Sequence, residues 1–177
     1  MELKKARLIK LIIFIAFWII TIINIITRFS AFNLVLNLLL FLPVTIFIVF
    51  DRDVPALLIL IIYFVFMCIL QVLGVISGIQ NRSYQIVNYV FSAIIMVYYL
   101  GMMLYSIKIL SNKGKIPNKY LIICFLVFFI CILLSNIIDA LNGNNTDWFS
   151  FIGTALFEIL IITYFVFYDK NDIEIFK

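Results

Sequence analysis

Apolar residues along this chain occur in six long runs, and short polar turns separate the runs. Each run approaches or exceeds the roughly 20 residues that a helix needs to cross the hydrocarbon core of a bilayer. The runs are too long and too uniformly apolar for the alternating strands of a membrane barrel. We therefore predict an all-α fold, a single bundle of six transmembrane helices spanning residues 1–177, with helices at about 8–27, 31–50, 55–77, 84–108, 119–139 and 148–168.

The composition indicates a lipid environment. Hydrophobic residues make up 66% of the 177 residues, charged residues only 12%, and the mean hydropathy is +1.23. A water-soluble protein of this size has too little interior to bury that many large apolar side chains. The lipid bilayer is thus the first partner that we expect.

Within the second run, Pro43 lacks a backbone N–H and should kink the helix or free a carbonyl group.

The distribution of Lys and Arg predicts the orientation in the membrane. If the N-terminus faces the cytoplasm, only Arg28 and Arg82 of the 13 cations lie on the opposite side. The cytoplasmic cations are Lys4, Lys5, Arg7, Lys10, Arg52, Lys108, Lys113, Lys115, Lys119, Lys170 and Lys177. Since cytoplasmic loops carry the excess of positive charge, both termini should be cytoplasmic, in a multi-pass protein of the cell (plasma) membrane. The basic start is interpreted as an uncleaved first helix rather than a signal peptide, because no cleavage site follows it.

Several kinds of chemistry are disfavoured by the residue types present. The chain contains no histidine, which removes the commonest general base and a main zinc ligand. Its three cysteines, Cys68, Cys124 and Cys131, lie inside apolar runs and lack metal-binding spacing. The cations lie at helix ends and form no nucleic-acid-binding patch. We therefore expect no enzyme, no cofactor and no nucleic-acid partner.

Polar side chains within the runs gather in the outer half of the predicted membrane, whereas the inner half is almost wholly Ile, Leu, Phe and Val, with several tyrosines. Helical spacing places several of them on one face, as with Asn88 and Ser92, or Ser135 and Asp139. Glu158 is the deepest, near the bilayer midplane, where an acidic side chain costs about 3 kcal/mol. The pattern predicts an outward-facing polar pocket with Glu158 at its floor and a ligand-binding set of Glu158, Asn24, Asn37, Gln71, Asn88, Asp139 and Thr154.

Two classes of function fit this pattern. The first is a solute-binding or transport module for a small polar or cationic solute, with Glu158 as counter-ion or proton-binding group. At this size, such a module would act with a homo-oligomer or a membrane partner subunit. The alternative is a non-catalytic membrane interaction protein, such as an immunity factor, a sensor membrane domain or an assembly accessory. For any single Asn, a hydrogen bond between helices is the simpler interpretation.

In architecture alone, six helices with a cytoplasmic N-terminus and an outward pocket resemble the substrate-binding subunits of energy-coupling-factor vitamin transporters. The chain departs from that pattern in its first helix, which has only Ala16 where a small-residue AxxxA stripe is expected. It also contains only six glycines. No family is assigned on these residues.

Overall fold

A computed structural model describes residues 2–27, 30–50, 52–80, 86–111, 117–141 and 148–168, and these residues are almost entirely helical, with no strand among them. Helix α1 is Glu2–Thr27, and the second segment contains α2 (Ala31–Leu36), a π-helical turn (Asn37–Phe41) and α3 (Leu42–Val49). The remaining helices are α4 (Asp53–Gln80), α5 (Ile86–Leu110), α6 (Asn118–Leu141) and α7 (Trp148–Phe167). The predicted all-α class is confirmed for this part of the chain.

Five helices contain apolar spans of 20 to 27 residues, long and apolar enough to cross a membrane. They are α1, α4, α5, α6 and α7, and they are compatible with a membrane bundle. Helix α4 begins two residues before its predicted start because Asp53 is favourable in a first turn and Pro55 is tolerated there. The sixth apolar segment is shorter, Leu34–Val49. The count of six spans, and the grouping of all of them in one bundle, stay predictions.

The second segment differs from the continuous helix predicted at residues 31–50. Pro43 has no N–H to donate, and its ring crowds the carbonyl group four residues earlier. The chain accommodates Pro43 in the first turn of α3, directly after the π-helical turn. There the N–H of Leu42 donates to the carbonyl oxygen of Asn37, five residues back. The expected disturbance at Pro43 thus takes the form of one widened turn.

The chain forms two compact units. The first combines Met1–Ile59 with Trp148–Lys177, and in it α1 packs along α7 while α3 contacts both. Three aromatic rings meet where these elements cross: the centroids of Phe41 and Phe157 lie 4.6 Å apart, and Phe17 lies 5.4 Å from Phe157. Apolar side chains that are fully enclosed continue this core on either side, namely Val44, Ile48, Ala56, Leu57, Leu160 and Ile161.

The second unit is Leu60–Asp147, which holds most of α4 together with α5 and α6. Its core is also aromatic: the rings of Tyr98 and Phe128 are stacked with centroids 4.2 Å apart, and Tyr99 meets Phe128 edge-on at 5.5 Å. Tyr63 and Phe64 of α4 pack against Tyr99. In both units, aromatic rings from different helices meet in the core.

Candidate functional site

Glu158 is a fully buried carboxyl group in the first unit. It lies ten residues into the 20-residue helix α7, about 15 Å from either end, and its exposed fraction is 0%. Its chain neighbour Phe157 belongs to the aromatic group with Phe17 and Phe41. A carboxyl group at the centre of an apolar helix is costly to bury. Its position is therefore the strongest indication of a functional site in this unit.

Two contacts establish how α1 and α7 are aligned. A Cβ atom on Gly153 would lie 3.8 Å from the Cγ2 atom of Ile20, and the ring of Phe17 meets that of Phe157. Residue numbers thus rise along α1 as they fall along α7, so the two helices are antiparallel. On this alignment, Glu158 is level with the residues just before Phe17.

The other three predicted ligand residues of the first unit lie to one side of the aromatic group. Thr154 precedes Phe157 by three residues, about 4.5 Å along the helix, and Asn24 follows Phe17 by seven, about 10.5 Å. Both displacements point toward the same end of the antiparallel pair. Asn37 begins the π-helical turn that ends at Phe41. All three side chains are partly buried.

A hydroxyl group and an indole lie beside this group. The Nε1–H of Trp18 donates to Oγ1 of Thr45 at 3.2 Å, and Thr45 itself is 0% exposed. The Thr45 hydroxyl in turn donates to the carbonyl oxygen of Leu42 at 3.1 Å. The sequence indicated neither residue, because a single Thr or Trp in an apolar run is ordinary. This pair ties α1 to α3 next to the aromatic group.

In the second unit, α5 and α6 must also be antiparallel. Only seven residues separate them, and an extended chain of that length cannot return along a 25-residue helix, about 37 Å, to start a parallel neighbour. The stacked rings of Tyr98 and Phe128 then align the two helices. Five residues separate α4 from α5, and the contact between Tyr63 and Tyr99 aligns that pair in the same way.

This alignment places the polar residues of the second unit on two levels at one end of it. Asn88 lies eleven residues before Tyr99, and Asp139 lies eleven after Phe128, so both are about 16 Å from the aromatic core. Nearer the core, at about 10–12 Å, lie Gln71, Ser92 and Ser135. Ser92 and Ser135 were not among the predicted ligand residues. Their four-residue spacing from Asn88 and Asp139 was the signal that could have included them.

Asn88 has an unusual environment. Its Oδ1 atom is buried and accepts no hydrogen bond from any residue that the structure describes. Buried amide oxygens almost always have a partner, so this atom has an open capacity to accept a hydrogen bond or to coordinate a cation. Ser92, one turn further along α5, is only 7% exposed.

The seven predicted ligand residues therefore divide between the two units. Glu158, Asn24, Asn37 and Thr154 belong to the first, whereas Gln71, Asn88 and Asp139 belong to the second. Within each unit the predicted residues share one end of the packed helices, except that Glu158 lies at the aromatic group. A single pocket lined by all seven stays a prediction.

Among the described residues, no three His, Cys, Asp or Glu side chains are grouped so that they could hold a metal ion. Cys68, Cys124 and Cys131 are free thiols.

The fold thus defines a helical protein with five membrane-length apolar helices and a buried carboxyl group. Comparison with known proteins finds no family model that matches this chain, and no similar curated protein or solved structure.

Proposed function

We propose that this protein is a multi-pass protein of the cell membrane that binds and transports a small polar or cationic solute. In this proposal the apolar segment Leu34–Val49 completes six spans, and both termini face the cytoplasm. The bias in Lys and Arg between the two sides supports that orientation. A homo-oligomer or a membrane partner subunit would complete the transport unit.

The buried carboxyl group of Glu158 is the observation that carries this proposal. Ionisable groups that are enclosed in membrane proteins usually mark solute, ion or proton pathways. The hydroxyl and amide groups of Thr154, Asn37 and Asn24 follow it toward one end of the first unit. These polar side chains follow one another between the end of the packed helices and the carboxyl group of Glu158. Glu158 would neutralise a cation or exchange a proton at the end of that route.

The test is uptake into proteoliposomes that contain the purified protein, with radiolabelled methylammonium as a cationic probe and glycerol as a neutral one. We expect uptake of one probe above empty liposomes. Glu158→Gln, which keeps the shape and removes the charge, should abolish methylammonium uptake, and Glu158→Asp should restore part of it. Phe149→Leu, an exposed position on the same helix, serves as the control.

Two results would overturn the proposal. Uptake by the Glu158→Gln protein equal to that of the wild type would remove this residue from the mechanism. Absence of uptake for both probes, together with a stoichiometric membrane protein that co-purifies, would favour the class of membrane interaction proteins instead.

A further inference from the structure

We infer that the polar end of the second unit, formed by Gln71, Asn88, Ser92, Ser135 and Asp139, is a binding site for a monovalent metal cation. The inference deepens the proposed function and rests on it in part, since three of these residues belong to the predicted solute site. Cation binding is measurable without transport, so the two proposals fail independently.

The buried face of α5 leads directly to this site. Tyr99, Ile95 and Ser92 are 1%, 7% and 7% exposed, and Asn88 continues the same three- and four-residue spacing. Since Tyr99 contacts Phe128 of α6, this face is directed toward α6. Ser92 and Asn88 therefore lie on the side of α5 that packs.

The matching face of α6 begins at Phe128, which is 1% exposed. Positions seven and eleven residues further along a helix return to nearly the same side, and they are Ser135 and Asp139. Both side chains are partly buried. The antiparallel alignment then sets Ser135 opposite Ser92, and Asp139 opposite Asn88.

Helix α4 adds a third side. Gln71 follows Phe64 by seven residues, and Phe64 packs on Tyr99. Gln71 thus lies about 10 Å from the aromatic core, at the level of Ser92 and Ser135. Its partly buried side chain carries a further amide oxygen.

The chemistry of these groups favours a cation. The amide oxygen of Asn88 and the carboxylate of Asp139 are both acceptors, and the alignment sets them at one level. The Asn88 Oδ1 atom is buried with no donor among the described residues. Oxygen atoms from amides, hydroxyls and a carboxylate are the ligands of hard cations. One carboxylate balances a single positive charge, which favours a monovalent ion over a divalent one.

A competing arrangement involves no ion. If the Asn88 side chain is rotated so that its NH₂ group donates to Asp139, the pair satisfies itself, because amide oxygen and nitrogen are assigned from their neighbours. That arrangement predicts stability that is independent of Na⁺ and K⁺. It also predicts a large loss of stability when Asn88 is replaced.

The test is thermal unfolding of the full-length protein in detergent, in NaCl, KCl or choline chloride at equal ionic strength. Ligands that bind only the folded state raise Tm. An ion concentration of about ten times Kd gives a rise of about 4 °C for a chain of this size. We expect such a rise for Na⁺ or K⁺ relative to choline. Asp139→Asn should abolish it, and Ser92→Ala should shift the response to higher salt.

Matched variants complete the design. Ser106 is a second buried serine of α5, and its Oγ donates to the carbonyl oxygen of Met102 in the same helix at 2.9 Å. Ser106→Ala should therefore keep the full response, as should Asp53→Asn in the first unit. Asn88→Leu, an apolar residue of similar size, tests the site even where Asp139→Asn fails to fold, and it should lose the response.

The inference is overturned if neither Na⁺ nor K⁺ raises Tm above choline in the wild-type protein. It is also overturned if Glu158→Gln abolishes the rise while Asp139→Asn keeps it, since the ion would then bind at the other carboxyl group.

Discussion

The hydroxyl group of Tyr164 donates a hydrogen bond to Oδ1 of Asp53 at 2.9 Å, across 111 residues of chain. Tyr164 is only 2% exposed, near the end of α7, and Asp53 is in the first turn of α4. Asp53 is thus a partly buried acceptor that ties α4 to α7 within the first unit.

Loss of that hydroxyl should lower stability. Tyr164→Phe keeps the ring, which packs on Phe165 and Tyr168, and removes only the donor. A hydrogen bond to a charged acceptor contributes about 2 kcal/mol, so we expect a clear drop in the free energy of unfolding. Thermal or denaturant unfolding in detergent measures it. Tyr120→Phe, at a residue 52% exposed, is the control. Equal stability of the two variants would show that the hydrogen bond contributes nothing.

The aromatic group of the first unit should be a main source of its stability. Phe157 is 1% exposed and contacts the rings of Phe17 and Phe41, so Phe157→Ala leaves a cavity among three elements. Such truncations cost about 3–5 kcal/mol. Phe149→Ala removes the same atoms from a side chain that is 41% exposed and should cost far less. The measurement is the free energy of unfolding of both variants under one set of conditions. Similar losses of stability would contradict this prediction.

Gly153 should tolerate Ala but not Leu. An added Cβ atom would make an ordinary van der Waals contact with Ile20, 3.8 Å away, and Ala also favours the helix by up to about 1 kcal/mol. A leucine side chain would push α1 away from α7. At Gly74 nothing lies within 4 Å of the added atom, so both Ala and Leu should fold there. The measurement is Tm for the four variants, and a stable Gly153→Leu protein would show that α1 and α7 do not pack closely.

Cysteine labelling tests the proposed orientation. In a background without the three native cysteines, Ser111→Cys places a thiol at an exposed position after α5, and Leu141→Cys places one at the 81% exposed end of α6. With the termini inside, a membrane-impermeant maleimide should label residue 141 in intact cells, and residue 111 only after permeabilisation. Labelling of residue 111 in intact cells, and of residue 141 only after permeabilisation, would show that the termini face the outside.

The helices were largely predictable because each apolar run is long and each polar turn is short. Their ends were less so: α1 begins at Glu2 rather than near residue 8, since polar helix formers such as Lys and Glu extend a helix without raising its hydropathy. The π-helical turn before Pro43 was not predictable in form. Proline inside a helix removes one hydrogen bond, and the neighbouring packing decides how the chain responds.

The candidate site was predictable residue by residue but not in its grouping. Periodicity places Asn88 with Ser92, and Ser135 with Asp139, on single faces of their helices. The contacts of Tyr98, Tyr99 and Phe128 determine which helix faces meet. These contacts were not predictable, because an apolar run rich in Phe, Leu and Ile has no periodic pattern that distinguishes the packed face. The same holds for Phe157, the chain neighbour of Glu158, whose ring meets Phe17 of α1 and Phe41 of the π-helical turn.

The widened turn at Asn37–Phe41 gives this chain a tolerance for a change in length. A π-helical turn holds more residues than an α-helical one, and Leu38 and Leu39 within it are 51% and 73% exposed. Deletion of one of them would let the turn close into regular α-helix with little rotation of α2 about its axis, because the π-helical turn holds one residue more than an α-helical turn. Phe41 would keep its contact with Phe157, so the core of the first unit would survive the loss of one residue. In an unbroken helix, the same deletion would turn the buried face away from its neighbours.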